Sequence, residues 1–555
     1  MTFPLLALCT FGIAIAALAL ARYARQELLA AVAGSGAILL LHGRYYFHYT
    51  SDDAYISFRY ARNFAHGMGL VWNPGDHVEG YTNFLWVLIL SGLDKAGADM
   101  IMSARWLGFG LAVLAAAGTY LLARELLEGA AGRMAGVAAA LLLAASGTWA
   151  LWAFAGLEPP LFAVCALAAV LLHLRERDGR FPPLSGVAWG LAAMTRPDAG
   201  LLILVSGLFK LGDVFARRDG EGRVPWRRFA GLVLWAAVFA VTFAPYFAWR
   251  YDTYGWLFPN TYYAKVGTGS EQYQRGLAYL MSFAEEYGAW LLLVAPLAAA
   301  LTRERRHARL YVLALVLAWF GDTVYVGGDS LLRFRLFAPV LPLFYALVAA
   351  SAAALLQAVH TQATPRRWLR DGAIALAAVA LVLFTLEPTA NGFGVDARKG
   401  ETHAGVERTE IGRWMRDNLP PSTVIAVIPA GIIPYESRLP TIDMLGLSDE
   451  HIAHRRLKLG LFPAGHEKYD TDYVLDRRPD IIVLYDGLTE LPWRVADYAK
   501  LRSTLIPAAV DMAGSDRPPK EYDYRYVQIS EGKWLNLLVR PGNAAVEALT
   551  QPAAP

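Results

Sequence analysis

Long apolar runs alternate with short polar loops through the first 390 residues, and a mixed pattern follows. The runs lie at roughly 3–21, 27–43, 102–122, 134–152, 159–174, 183–195, 198–211, 228–249, 280–301, 308–327, 336–356 and 369–388. A bilayer is crossed by about 20 apolar residues in a helix, so the pattern predicts about twelve spans. The two runs flanking Arg196-Pro197-Asp198 are short enough to be half-length or tilted helices. Phe84–Leu93 is apolar but too short to span, and it reads as an interfacial or re-entrant helix within a long loop at 44–103.

Arginines cluster in alternate loops: Arg22 and Arg25; Arg124 and Arg133; Arg175, Arg177 and Arg180; Arg217, Arg218, Arg223, Arg227 and Arg228; Arg303, Arg305, Arg306 and Arg309; Arg366, Arg367 and Arg370. The positive-inside bias places these loops in the cytoplasm. Both termini and the loops richer in Asp, Glu, Tyr and Asn then face out. The first run begins at Thr2-Phe3-Pro4 with no basic segment before it, so it reads as a retained helix and not a cleaved signal.

After Asn391 the membrane pattern stops. Ile411–Leu419 reads as a helix ended by Pro420-Pro421, Val424–Ile428 and Ile481–Tyr485 as buried strands, and Tyr473–Arg478 as a helix before Pro479. The expected fold class is mostly α: a polytopic helical membrane domain over 1–390 and a small α/β extracytoplasmic domain over 391–542. A disordered tail is expected over 543–555.

Composition agrees with this division. The 555 residues are 56% hydrophobic and only 18% charged, against about 25% charged in an ordinary soluble domain. A net charge of +3 without a basic stripe is too small to suggest nucleic acid, and none is expected as a partner. Cys9 and Cys165 both lie in apolar runs and read as packed thiols. No internal repeat is present, and polar motifs gather in the outer loops. Both features disfavour a transporter, whose halves repeat around midplane charges.

The first outer loop carries the densest chemistry. Ser51-Asp52-Asp53 opens a helical stretch in which Tyr55, Arg59 and Arg62 share one face and Ile56, Tyr60 and Phe64 another. Paired carboxylates beside cations at a membrane lip suit a general base next to a phosphate-binding surface. The ordinary alternative is that Ser51, Asp52 or Asp53 caps the helix. Asp52 is preferred as the base, because it precedes Tyr55 and Arg59 by about one and two turns. Ionisable residues are costly near lipid, which singles out Glu158, Arg196, Asp198, Asp329, Arg333 and Arg335; a structural ion pair is the alternative for each. Lys265, in Pro259-Asn260-Thr261-Tyr262-Tyr263-Ala264-Lys265, can meet a phosphate as a point charge, or its aromatic neighbours can form an interface belt. His466 and Glu467 lack a second ligand pair at metal spacing, so no metal site is assigned; a divalent cation beside the carboxylates is left open.

Taken together, several motifs resemble the bacterial GT-C superfamily of membrane glycosyltransferases, and within it the mycobacterial terminal arabinofuranosyltransferase group. They are Asp52-Asp53-Ala54-Tyr55, Arg59…Arg62-Asn63, Val78-Glu79-Gly80-Tyr81-Thr82-Asn83, Gly156-Leu157-Glu158, Arg196-Pro197-Asp198, Pro259–Lys265, Gly327-Gly328-Asp329…Arg333-Phe334, Asp443-Met444-Leu445-Gly446-Leu447 and Gly465-His466-Glu467-Lys468. The resemblance implies a polyprenyl-phosphate sugar donor, membrane lipid around the helices and an acceptor hydroxyl on a glycan or protein at the outer face. It implies a first-loop acid, Asp52 or Asp53, as the base. The expected phosphate contacts are Arg59, Arg62, Lys265, Arg333 and Arg335. The expected substrate contacts are Tyr55, Asn63, Glu79, Tyr81, Asn83, Glu158, Arg196, Asn260, Tyr262, Asp329, His466, Glu467 and Lys468. Arabinofuranose transfer to a cell-envelope glycan is the expected activity; a mannosyltransferase-like protein O-glycosyltransferase and a non-catalytic transporter are the alternatives.

Overall fold

The computed structural model describes residues 3–177, 182–216, 226–360, 367–386, 392–504 and 506–554. Arg180, Arg217, Arg218, Arg223 and Arg366 of the basic loops lie outside these residues, as does the 390/391 boundary.

In hydrocarbon a backbone must satisfy its own N–H and C=O groups, and the apolar runs are accordingly helical. Among the described residues, seven helices are long and apolar enough to cross a membrane: Phe3–Ala24, Glu27–Tyr46, Met100–Leu126, Pro159–Glu176, Trp226–Tyr254, Arg306–Tyr325 and Arg335–Ala358. Two bent pairs raise this to nine if each is one span: Gly129–Ala145 with Gly147–Phe154, at 64°, and Ser270–Tyr287 with Ala289–Leu301, at 87°. Among the described residues this is fewer than the expected twelve. Local sequence explains the difference. The run at 183–195 yields only the 11-residue helix Ser185–Thr195 before Pro197. Ser146 takes extended backbone and restarts a helix by accepting from the Trp149 amide, and Gly288 turns the second pair in the left-handed region, at φ 62°.

The helices are sorted by burial. The Arg335–Ala358 window is 72% buried and runs through the middle of the bundle; the Trp226–Tyr254 window is 6% buried, and this helix packs on Ser185–Thr195 with most of its apolar side chains turned outward. Phe84–Lys95 is a separate 12-residue helix, with Trp86, Val87 and Leu90 turned inward and the Trp86 indole donating to the Gly156 carbonyl at 3.1 Å.

Beyond the bundle, the helix Gly392–Asn418 starts well before the expected Ile411. A six-stranded sheet follows, built from β1 (Ile425–Val427), β2 (Thr441–Asp443), β3 (Ile481–Val483), β4 (Asp523–Ser530), β5 (Lys533–Val539) and β6 (Gln551–Pro552), in the order β2-β1-β3-β5-β4-β6. β1 pairs in parallel with β2 and β3, which explains its unbroken apolar run. β4 and β5 form an antiparallel hairpin turning at Glu531-Gly532, where Gly532 supplies a positive φ. The fold class is thus mostly α with a small C-terminal α/β region. The tail expected to be disordered is instead ordered through residue 554: Ala544–Glu547 is helical with Val546 fully buried, and β6 pairs with β4. Burial of Val546 and strand pairing offset the ordering entropy that the polar, proline-containing composition suggested would win.

The first loop is sandwiched between bundle and sheet. The Trp72 indole donates to the Thr441 carbonyl, and Asn73 exchanges bonds with both the carbonyl and amide of Thr441. The side-chain amide of Asn260 donates to the carbonyls of Gly446 and Leu447. These contacts bring loops from distant parts of the chain to one end of the bundle.

Candidate active site

The helix Asp52–Ala65 starts without a side-chain cap: Ser51 makes no capping bond, and its hydroxyl is buried without a partner. Neither aspartate caps this helix. Asp52 points away from it and accepts the backbone amides of Gly431 and Ile432, each at 3.0 Å, with Arg408 3.7 Å away. Gly431 is required for this approach, since a Cβ there would stand 2.0 Å from the Asp52 carbonyl oxygen. Burial pushes the Asp52 carboxyl above its ordinary value, with Arg408 opposing.

Asp53 faces the other way, into a cavity of about 160 Å³. One of its carboxylate oxygens lies 3.4 Å from Arg335 and 3.6 Å from Lys265. Burial works to raise this carboxyl, but Lys265, Arg335 and His466 together outweigh it and hold Asp53 below its ordinary value. Adjacent carboxylates are thus driven apart, one towards protonation and one towards ionisation. Of the two aspartates expected to supply the base, the preferred Asp52 does not line the cavity but fastens the loop to the sheet region, and Asp53 lines the cavity.

Polar chains surround the same cavity. Arg335 is also held by Asp329, at 2.7 Å. Arg196 bridges Glu158, at 2.9 Å, and Asp198, at 2.5 Å. Asn83 donates to Glu158 at 2.8 Å and accepts from Ser57 at 3.1 Å. Tyr81 and Tyr262 complete the set of expected residues that line the space. Asp53, Tyr81, Asn83, Glu158, Arg196, Tyr262, Lys265, Asp329 and Arg335 therefore converge, although up to 282 positions separate contacting partners.

The remaining expected residues do not line the cavity. Arg59 is buried and donates to the carbonyls of Trp72, Pro434 and Leu439 and to Asn73. Burial lowers its pKa to about 9. Arg62 donates to the Tyr435 carbonyl and lies over that ring at 4.3 Å; Tyr55 packs against the same ring. The shared face of Tyr55, Arg59 and Arg62 is real, but it meets the sheet region and not a phosphate. Asn63 donates to the carbonyls of Val71 and Trp72. Glu79 pairs bidentately with Arg250, at 2.7 and 3.0 Å, and burial lifts its pKa to about 7 against the pull of Arg250. Asn260 braces the 446–449 carbonyls. Arg333 is buried against Glu286. Glu467 accepts from Arg275 and from the amides of Gly460 and Phe462, and the buried Lys468 amine donates to the Ala453 carbonyl, burial lowering it to about 8. His466 does not line the cavity, although it contributes to the lowering of Asp53.

Sequence reading passed over Asp322, Thr261 and Trp319, which also line the cavity. Asp322 had a usable signal, an ionisable residue inside the apolar run 308–327; Trp319 had none. Among the described residues no group of three or more His, Cys, Asp or Glu is arranged to hold a metal. The carboxylates best placed for a cation, Asp53 and Asp329, are each paired with Arg335.

This architecture has solved counterparts. ArnT from Cupriavidus metallidurans, bound to undecaprenyl phosphate, matches with a TM-score of 0.54 at 16% identity, over 95% of this chain and 98% of that one. The oligosaccharyltransferase AglB from Archaeoglobus fulgidus, in complex with an inhibitory peptide and a dolichol-phosphate, matches with a TM-score of 0.51 at 13% identity, over 96% and 77%. The chain has a GT-C-like fold. In sequence, the chain is 29% identical over 289 residues to the terminal beta-(1->2)-arabinofuranosyltransferase of Mycobacterium tuberculosis (strain ATCC 25618 / H37Rv). That match spans 49% of this chain and 44% of the relative, less than half of either. Residues 397–534, which hold most of the sheet, match a domain of unknown function, DUF8728.

Proposed function

We propose that this protein is a glycosyltransferase that moves a sugar from a polyprenyl-phosphate donor to an acceptor hydroxyl, with Asp53 as the base. The observation that carries the proposal is the placement of Asp53: of the adjacent pair Asp52 and Asp53, it is the one in the cavity, beside two cations. The acceptor oxygen loses its proton to Asp53 and bonds to the anomeric carbon, while the bond from that carbon to the phosphate oxygen breaks and its electron pair leaves with the phosphate. Lys265 and Arg335 neutralise the departing phosphate. Before the donor arrives, these cations depress the basicity of Asp53. A phosphate that recruits them loosens that hold, so donor binding strengthens the base, and the donor binds first.

The similarity to an arabinofuranosyltransferase supports arabinofuranose as the sugar and a cell-envelope glycan as the acceptor. The arginine-rich loops support an inner-membrane protein whose cavity and residues 391–542 lie on the outer face. The test is transfer from synthetic farnesyl-phosphoryl arabinofuranose to an arabinan acceptor by the purified protein. Wild-type transfer that disappears in Asp53→Asn and survives in Asp52→Asn is the expected result; equal activity in both variants overturns the assignment.

A further inference from the structure

The cavity is lined by more carboxylates than cations. Among the described residues that line it, five carboxylates stand against three cations. The cations are already engaged: Arg335 by Asp53 and Asp329, Arg196 by Glu158 and Asp198, Lys265 by Asp53. The surplus is concentrated at one wall. Both bonds from Arg196 to Asp198 end on a single oxygen, Oδ2. Asp322, on a different helix, accepts no side-chain hydrogen bond among the described residues and feels the opposing charges of Asp198 and Arg196. A carboxylate left with acceptor capacity in a lined cavity calls for a donor from a ligand.

The neighbour of Asp322 fixes the wall on which it stands. Trp319 precedes Asp322 by three residues on the helix Arg306–Tyr325, so both lie on one face, and both line the cavity. Trp319 is held by its indole N–H, which donates to the Leu336 carbonyl at 2.6 Å. The Trp319 ring is buried against Phe162 with Arg196 over it, so it fixes this part of the wall rigidly. A carboxylate with acceptor capacity on such a wall matches the O–H donors that a sugar ring carries on its rim. The cavity, at about 160 Å³, is of monosaccharide size; a cavity of ~150 Å³ holds one benzene ring.

We propose that Asp322, supported by Asp198 and Trp319, is a specificity residue that accepts hydroxyl hydrogen bonds from a single uncharged sugar ring of the donor, and that the negative wall excludes sugars bearing a carboxylate. This rests on the glycosyltransferase reading and adds to it the residue that selects the sugar. The lipid phosphate is bound elsewhere in the cavity, at Lys265 and Arg335, so Asp322 discriminates sugars without changing affinity for the phosphate.

The experiment measures equilibrium binding to the full-length protein in nanodiscs of four probes: farnesyl phosphate and its arabinofuranosyl, mannopyranosyl and glucuronyl esters. Wild type is expected to bind at least one neutral ester more tightly than farnesyl phosphate, and the glucuronyl ester more weakly. A charged hydrogen bond is worth 1.5–3 kcal/mol, so Asp322→Ala is expected to lose roughly 10- to 100-fold in affinity for that neutral ester, with farnesyl phosphate unchanged. Asp322→Asn is expected to narrow the discrimination against the glucuronyl ester. Unchanged farnesyl phosphate binding also shows that the variant is folded. Equal loss for the neutral ester and farnesyl phosphate, tight wild-type binding of the glucuronyl ester, or no gain from any neutral sugar overturns the proposal while leaving the lipid-phosphate reading standing. No binding of farnesyl phosphate by wild type overturns the glycosyltransferase reading itself, and this proposal with it.

Discussion

The carboxylate of Asp53 stands 3.4 Å from the guanidinium of Arg335, across 282 residues of chain. Lys265 reaches the same oxygen at 3.6 Å from a third segment. Three elements that no local pattern connects thus meet at one atom, and the carboxylate is ionised and open to the cavity. Its neighbour Asp52 is spent on two backbone amides and cannot serve the same space.

This division predicts different outcomes for the two aspartates. Asp53→Asn keeps the size of the side chain and removes its basicity. A positioned base contributes about 10²–10⁴-fold, so turnover is expected to fall by that factor while farnesyl phosphate still binds. Steady-state kinetics on a donor ester, read beside the binding isotherm, check this. Normal turnover in Asp53→Asn sinks the base assignment.

Lys265→Gln has two separable consequences. Loss of a charged contact is expected to raise the donor KM roughly tenfold or more. Lys265 also lowers the Asp53 carboxyl, so its removal lets that carboxyl rise. A base must be unprotonated to act, and the acid limb of the kcat/KM–pH profile is therefore expected to move to higher pH. Comparing the profiles of wild type and variant checks the sign; a shift to lower pH contradicts the pairing.

Most of the fold was legible in the sequence because hydrocarbon imposes one solution on an apolar run. The helical domain, the loop helix at Phe84 and strands β1 and β3 all follow from periodicity and run length. Chain direction at breaks was less legible: Ser146 and Gly288 bend helices that looked continuous. In the cavity, Asp53, Glu158, Arg196, Lys265 and Arg335 stood out as charges near lipid. Arg59 and Arg62 stood out equally and serve a different purpose, because residue type does not reveal which neighbour a helix face will meet. Only the docking of Pro434, Tyr435 and Leu439 makes those arginines structural.

That docking predicts the cost of disturbing Asp52. In Gly431→Val a Cβ would meet the Asp52 carbonyl oxygen at 2.0 Å and its carboxylate at 2.4 Å, so the loop and sheet region must separate locally. Asp52→Ala removes the acceptor of two amides. Both variants are expected to lower the apparent melting temperature and to raise protease sensitivity in the first loop, with activity retained in the folded fraction of Asp52→Ala. Unchanged melting in both excludes the fastening role.

The alternating arginines predict which side of the membrane each loop faces. Alkaline phosphatase fused after Asn418 is expected to be active, and the same enzyme fused after Glu128, between two basic loop residues Arg124 and Arg133, inactive. The reverse pattern would place the cavity and sheet in the cytoplasm and remove the outer-face assignment.

Asp443 supplies a pH test in the sheet region. Its carboxyl is buried at the end of β2 and accepts the amides of Leu445, at 2.9 Å, and Ser448, at 2.7 Å. Burial raises it to about 7, with those amides opposing. An unfolded aspartate titrates near its ordinary value of 3.8, so the folded state binds the proton more tightly. The stability that this proton contributes is therefore complete below about pH 3.8 and is lost as pH rises through about 7. Asp443→Asn has no carboxyl to titrate there and keeps one oxygen to accept an amide. Apparent melting temperatures measured from pH 5 to pH 8 are expected to fall less steeply with pH in the variant than in wild type. A wild-type slope equal to that of the variant would mean that Asp443 is ionised in the folded protein throughout this range, and that its amide contacts and not burial set its charge.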